Sequence, residues 1–181
     1  MLRRFHLYFI AFFTIVSVMF SSIAAFAVDE IMIESAFIIN FTKFIEWPDS
    51  TTPAGQRKID ICVIGDSKII NAEQVFKQAS FDKLDISLVK EKNISSISTH
   101  CQMLFISTSE SEKIADIILS IKDKPILTIG DTDEFIERGV MINFVIDDGK
   151  VKFVINKGAI VAAGLKVDAQ LLEIALKVID K

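Results

Sequence analysis

Histidine is nearly missing from this sequence, with only two in the chain and only His100 beyond the first 27 residues. A Ser-His hydrolase needs an imidazole to take the nucleophile's proton, and a zinc centre needs several nitrogen or sulfur ligands. Both classes therefore have little to draw on. Glycine is sparse too, and the turn at Gly65 lacks the further glycines that a phosphate-cradling loop uses to bring backbone N–H groups close to an anion. Cysteine is limited to Cys62 and Cys101, with no C-x-x-C spacing. An excess of positive charge is also missing: 20 Lys and Arg face 24 Asp and Glu. Nucleic-acid binding needs a basic face to neutralise phosphates, so this balance argues against it. After residue 28 no apolar run approaches the length of a bilayer span.

What is present begins with an export signal. Arg3 and Arg4 precede an apolar run from Leu7 to Phe20, and Ala25 and Ala27 flank Phe26 in an A-x-A arrangement. Residues 1–27 read as a signal peptide cleaved after Ala27. The competing reading is a retained anchor, because the apolar stretch running on to Val28 is long enough to cross a bilayer. No Cys stands beside the cleavage point, which argues against a lipoprotein. Cleavage removes two arginines and no acid, so the net charge moves from −4 to −6. Residues 28–181 then form one domain of a length that can bury its own core, expected to be soluble.

In an oxidising compartment a cysteine pair is more often bridged than free, so a Cys62–Cys101 disulfide is the default expectation. Two buried thiols on neighbouring strands are the alternative. His100 beside Cys101 is a sequence neighbour and not a ligand set, so no metal site is expected.

The segment IESAFIINFTKFIEWP (33–48) places Ile33, Ala36, Phe37, Phe41, Phe44 and Ile45 at the spacing of one helical face. Pro48 ends that helix, because its ring cannot continue it and restricts Trp47 before it. Residues 49–58 read as an exposed loop. From Ile59 short apolar runs alternate with helical stretches. Strands are expected at Ile59–Ile64, Leu84–Val89, Met103–Ser107 and Ile126–Ile129. Helices are expected at about Lys68–Ala79, capped by Asp66 or Ser67, and after a Ser109/Glu112 capping box. Val140–Ile146 and Val151–Asn156 are separated only by Asp147–Lys150 and form a hairpin. A last helix runs from about Asp168 with Leu171, Leu172, Ala175, Val178 and Ile179 on one side. The pattern predicts an α/β fold: a mostly parallel central sheet, a C-terminal antiparallel hairpin, and helices on both faces.

Gly65-Asp66-Ser67 follows a strand as a nucleophile does in one esterase class, but His100 falls at the other end of the sheet. Ser67 is therefore read as a helix cap. Asp131 with Asp133, and Asp147 with Asp148, read as solvated turn residues, and no EF-hand spacing accompanies Asp131, Asp133 and Glu134. In the second hairpin strand Val151, Phe153 and Ile155 share one face, which leaves Val154 as an apolar residue among Lys150, Lys152 and Asn156. With Ile160 and Val161 in the small-residue stretch KGAIVAAG, it either forms an exposed docking ridge, or Val154 and Ile160 lie under the C-terminal helix, and spacing favours the latter.

AFIINFTKFIEWP, ICVIGD, CQMLFIS, PILTIGD, MINFVIDDGKVKFVIN and AAGLKVDAQLLEIA, in that order, resemble the YfiR-like family of secreted bacterial envelope proteins over nearly the whole mature chain. The resemblance implies a periplasmic α/β protein without known catalysis or cofactor, typically a homodimer. Its best-understood member represses a membrane-bound diguanylate cyclase by binding the cyclase's periplasmic domain, which controls cyclic di-GMP and biofilm formation. It also implies a bridge between Cys62 and Cys101, and a partner surface at Ile142, Val154, Ile160 and Gln170. This chain departs from the family at Val154, where an acidic residue is common, and lacks the second cysteine pair of some members.

The leading expectation is thus a periplasmic, non-enzymatic regulator that binds and inhibits an inner-membrane diguanylate cyclase or kinase. The second is a small-ligand binder with a pocket beside the amphipathic helix, in which Phe41 and Trp47 are candidate ligand or dimer contacts. A hydrolase using Ser67 is third.

Overall fold

The computed structural model describes residues 30–48, 57–79, 84–97 and 100–181. The signal peptide, its cleavage after Ala27 and most of the 49–58 loop lie outside the described residues. Helix α1 (residues 30–44) leads into a two-residue strand β1 (Ile45–Glu46). Then come β2 (Arg57–Ile64), a 3-10 turn (Lys68–Ala72) running into α2 (Glu73–Gln78), β3 (Leu84–Glu91), and β4 (Cys101–Ile106). A second 3-10 stretch (Thr108–Lys113) continues into α3 (Ile114–Ser120), followed by β5 (Leu127–Gly130) and a 3-10 turn (Asp133–Arg138). The chain closes with β6 (Ile142–Asp147), β7 (Lys150–Asn156), α4 (Lys157–Ala162), β8 (Lys166–Val167), α5 (Ala169–Ile174) and β9 (Lys177–Ile179).

Seven strands form one sheet in the order β3-β2-β4-β5-β6-β7-β9. Strands β3, β2, β4, β5 and β6 are parallel, β7 turns antiparallel against β6, and β9 runs parallel to β7. The expected α/β architecture is present, with its hairpin. Burial on both faces explains the continuous apolar runs CQMLFI and LTIG, in which nearly every side chain is buried. Strand β7 alternates, with Val151, Phe153 and Ile155 inward.

The two faces carry separate cores. On one, Ile38 and Phe41 of α1, Phe76 of α2, Ile160 of α4 and Leu171 of α5 pack on Ile61, Val63, Met103, Phe105, Phe144 and Phe153. Four phenylalanines tie α1 to the hairpin: Phe37 and Phe41 each meet Phe153 edge-on at 5.2 Å between ring centroids, and both lie near Phe144. On the other, Ile114, Ile117 and Ile121 of the α3 region join Cys62, Ile64, Leu104, Ile106 and Phe135.

The structure departs from the sequence expectations at three places. Helix α1 stops at residue 44, because Ile45 and Glu46 pair antiparallel with Val167 and Lys166; the β-branched Ile45 and the restriction before Pro48 suit that extended backbone. The capping box is not formed. Ser107 is the cap, and the Ser109 hydroxyl instead accepts from the Asp66 amide at 2.8 Å. The C-terminal helix has only six residues, since Ala175 turns extended and Lys177–Ile179 add a strand along β7. The helical spacing of Val178 and Ile179 loses to their β propensity and to the unpaired N–H and C=O groups that β7 would otherwise expose. Among the described residues no helix is long and apolar enough to cross a membrane.

Candidate functional site

The parallel part of the sheet has the order second-first-third-fourth-fifth, so the chain reverses direction between β2 and β4. In open α/β sheets the crevice at the carboxyl ends of the strands flanking such a reversal is where ligands sit. Here it is formed by the loops Gly65–Ser67 and Ser107–Ser109. The Ser107 hydroxyl donates to the Asp66 carbonyl at 2.8 Å, and the Ser107 amide bonds the Ile64 carbonyl. Gly65 adopts φ +88°, and a Cβ there would stand 2.5 Å from the Ser109 hydroxyl, so the close approach of the two loops requires glycine.

Two clefts open on either side of these loops. One, of about 750 Å³, is lined by Asp66, Lys90, Lys92, Asn93, Ser109, Glu110 and Lys113. The other, of about 360 Å³, is bordered by Glu30, Glu34, Ser67, Thr108 and Asp131. Thr108 donates to Asp131 at 2.8 Å. Glu34 is held to a pKa of about 7, first by burial and then by the negative charges of Asp131 and Glu30. Asp131 is therefore half-buried and engaged, rather than the freely solvated turn residue expected. The acidic cleft was missed in the sequence, although Glu30 and Glu34 stand four apart, on one side of α1.

Ser67 caps the turn after β2, accepting from the Ile69 amide at 3.2 Å, while His100 precedes β4 at the opposite end of that strand. The structure does not bring these two together.

A second cluster gathers around the cysteines. Cys62 and Cys101 form a disulfide between the adjacent strands β2 and β4, with Cα atoms 5.7 Å apart. Glu91, the last residue of β3, reaches across from the neighbouring strand. Its carboxylate lies 3.1 Å from His100 Nε2 and 3.8 Å from the Cys101 sulfur, and is buried to 6% exposure. His100 Nε2 lies 3.8 Å from each sulfur. His100 is thus more than a sequence neighbour of Cys101: it sits in the bend before β4, outside the strand alternation that would send adjacent side chains to opposite faces. Nothing in the sequence marked Glu91 as a member, since only strand order brings it there.

The residues assigned to partner contact are placed unequally. Ile142 and Ile160 are 0% exposed, Ile160 sharing the first core with Leu171 beneath the C-terminal elements. Val154 is half-buried beside Lys177 of β9, and Gln170 is exposed on α5. Phe41 is also fully buried, within the aromatic cluster, so it offers no surface for a ligand or a second protomer. Trp47 is half-buried, and its indole donates to the Gln102 carbonyl at 3.1 Å. Gln102 stands near the start of β4, so Trp47 lies at the opposite end of that strand from the clefts. Of the exposed apolar residues near the C-terminus the sequence pointed only to Val161 as a docking candidate: Val161 of α4, Ile174 of α5, Leu176 just after it and Val178 of β9 are each between 41% and 63% accessible. Helical spacing put Val178 on the inward side and left Ile174 and Leu176 unassigned, and the last helix ends at Ile174, short of that pattern.

A doubly wound sheet with a stapled β2–β4 pair and crevices at its topological switch defines the class as an α/β sandwich. The chain belongs to the YfiR/HmsC-like family, whose model matches residues 32–176, a family of periplasmic regulators. A comparison with curated proteins returns no match. Among solved structures, a conserved domain protein from Vibrio cholerae O1 biovar eltor is similar with a TM-score of 0.50 and 13% identity, over 66% of this chain and 54% of that one. The ABC domain of a Streptococcus pneumonia protein in complex with L-Trp gives a TM-score of 0.49 and 16% identity, over 67% of this chain and 55% of that one. The chain thus spans about half the length of these two structures, and the first likeness is one of fold alone.

Proposed function

We propose that this protein is exported to the periplasm, with its leader cleaved after Ala27, and there binds and inhibits the periplasmic domain of an inner-membrane diguanylate cyclase. Membership of the YfiR/HmsC-like family supports the regulatory role. The observation that carries the docking step is the apolar surface of Val161, Ile174, Leu176 and Val178. Four large apolar side chains exposed on neighbouring elements are what a partner surface would cover. Gln170 and the exposed part of Val154 flank that surface, while Ile142 and Ile160 support it from within. A homodimer could use the same surface, so partner and second copy would compete for it.

Affinity capture from detergent-solubilised membranes tests this reading. The wild-type protein should recover a cyclase, and the pair Ile174→Glu with Val178→Glu should lose it while keeping the wild-type thermal midpoint. Cyclic di-GMP in cells should rise with the double variant. Repeated capture of no cyclase, or unchanged capture by the double variant, would overturn the proposal.

A second reading, small-ligand binding, is favoured by the clefts at the switch point with their convergent serines, lysines and carboxylates. Trp47 is too remote to report on them by fluorescence. Calorimetric titration of soluble metabolites into wild-type protein and a Ser109→Ala variant is the appropriate test, and equal heats from both would dismiss the clefts as the binding site.

A further inference from the structure

We propose that reduction of the Cys62–Cys101 disulfide opens a divalent-metal site of the zinc class, with Cys62, Cys101, His100 and Glu91 as its four ligands. One ligand atom from each of these residues lies within 4.8 Å of every other. Two thiolates, an imidazole and a carboxylate are the donor types zinc takes, and four is its coordination number in closed sites. Zn–S bonds of about 2.3 Å and tetrahedral angles place two sulfurs roughly 3.8 Å apart. The sulfurs must therefore separate after reduction, which rotation about the Cys side chains can supply at a Cα separation of 5.7 Å. His100 Nε2 already lies 3.8 Å from both sulfurs, close to the ligand-to-ligand spacing of such a site.

An independent observation points the same way. A disulfide needs no polar company, yet Glu91 is buried to 6% exposure beside it. Burying a carboxylate is costly unless a cation or strong donors compensate. In the oxidised protein the imidazole at 3.1 Å takes that role. In the reduced protein a dication can serve both groups, together with the thiolates. The fourth ligand comes from a third strand, β3, so the metal would clamp β3 and β2 to β4 where the disulfide clamps only the last two.

The chemistry balances with a dithiol as reductant. Thiol–disulfide exchange transfers two electrons and two protons to the Cys62–Cys101 bond, which breaks into two thiols as the reductant closes to its own disulfide. Metal entry then releases two protons as both thiols become thiolates. The exchange run in reverse, with the reductant's own disulfide as oxidant, takes two electrons from the thiolates, re-forms the Cys62–Cys101 bond and frees the metal as that disulfide returns to the dithiol with two protons, so bridge and metal exclude each other.

Cobalt(II) is the probe, because its tetrahedral thiolate complexes absorb visibly. The full chain is reduced with a dithiol, desalted without oxygen and titrated with Co²⁺. We expect one equivalent bound per reduced chain, with thiolate-to-cobalt charge-transfer and intense d–d absorption, and no such spectrum from the oxidised protein. Glu91→Gln and His100→Ala should each weaken binding at least tenfold. His100 is half-exposed, so its variant keeps the fold, and circular dichroism of both variants in the oxidised form checks this. Zn²⁺ should also slow re-formation of the disulfide at least tenfold in the reduced wild type. No uptake on reduction, equal uptake by oxidised protein, wild-type affinity in both variants, or a reduced chain that stays unfolded after Co²⁺ is added would each overturn the proposal.

Discussion

The two faces of the central sheet are built differently. One is covered by α1, α2, α4 and α5 and centres on interlocked phenylalanines; the other is covered mainly by the α3 region and is rich in isoleucine, with Phe135 its one buried phenylalanine among the described residues. Aromatic side chains bury more area each and add preferred edge-to-face geometry. Among the described residues the second face has fewer buried apolar side chains, and it instead carries the covalent bridge. A face with less apolar area to bury is stabilised by a crosslink, and the crosslink in turn allows a buried Glu91 there that the aromatic face does not have.

The comparison can be broken most directly at Phe41. Truncation by Phe41→Ala removes the ring that meets Phe37, Phe144 and Phe153, and should cost about 3–5 kcal/mol in denaturant unfolding. On the other face, replacing both cysteines with alanine should cost about 4 kcal/mol or less, the value for closing a loop of this separation in the chain-entropy model. A cost near zero would mean that the second face does not depend on its bridge.

Glu34, on the helix that covers the first face, sharpens the contrast through pH. Its folded pKa of about 7 exceeds the ordinary 4.5. A raised carboxyl pKa means the folded state binds the extra proton, so this group's contribution is full below about pH 4.5 and is lost as pH rises through 7. Glu34→Gln should therefore leave stability at pH 4 unchanged and raise it at pH 8. The gain expected is on the order of 1–2 kcal/mol once partial exposure is allowed for. Thermal melts of both proteins across that range measure it, and parallel curves would exclude the assignment. The smallest effect is expected at the cap, where Ser67→Ala should cost about 1 kcal/mol. Esterase activity, if any is found, should not change in that variant.

Much of the fold was legible because burial leaves periodic traces. The runs CQMLFI and ICVI, the hairpin around Asp148-Gly149 and the apolar stripe of α1 each follow from local spacing and turn chemistry. Errors arose where a short segment had a choice settled by a distant one. Lys177–Ile179 have helical spacing but meet the open edge of β7, and Ile45 meets β8 from the far end of the chain. Site residues suffered more from this. Val154 stood out as apolar on a polar face, yet it is only half-buried while Val161, Ile174, Leu176 and Val178 near it in the chain are exposed, and Ile142 and Ile160 are interior. Glu34 joined Asp131 only through the packing of α1 over the strand ends.

By itself the sequence determined the elements and the layered α/β class, because alternation, helical spacing and punctuation are properties of neighbouring residues. It also carried the family, through motifs spread in order along the chain. Only the tertiary structure decided that β9 rather than β7 forms the sheet edge, that the strand order reverses between β2 and β4, and that Glu91 and His100 converge on Cys62 and Cys101. Those are meetings between residues far apart in the chain, and nothing in local spacing encodes which distant strand will lie alongside.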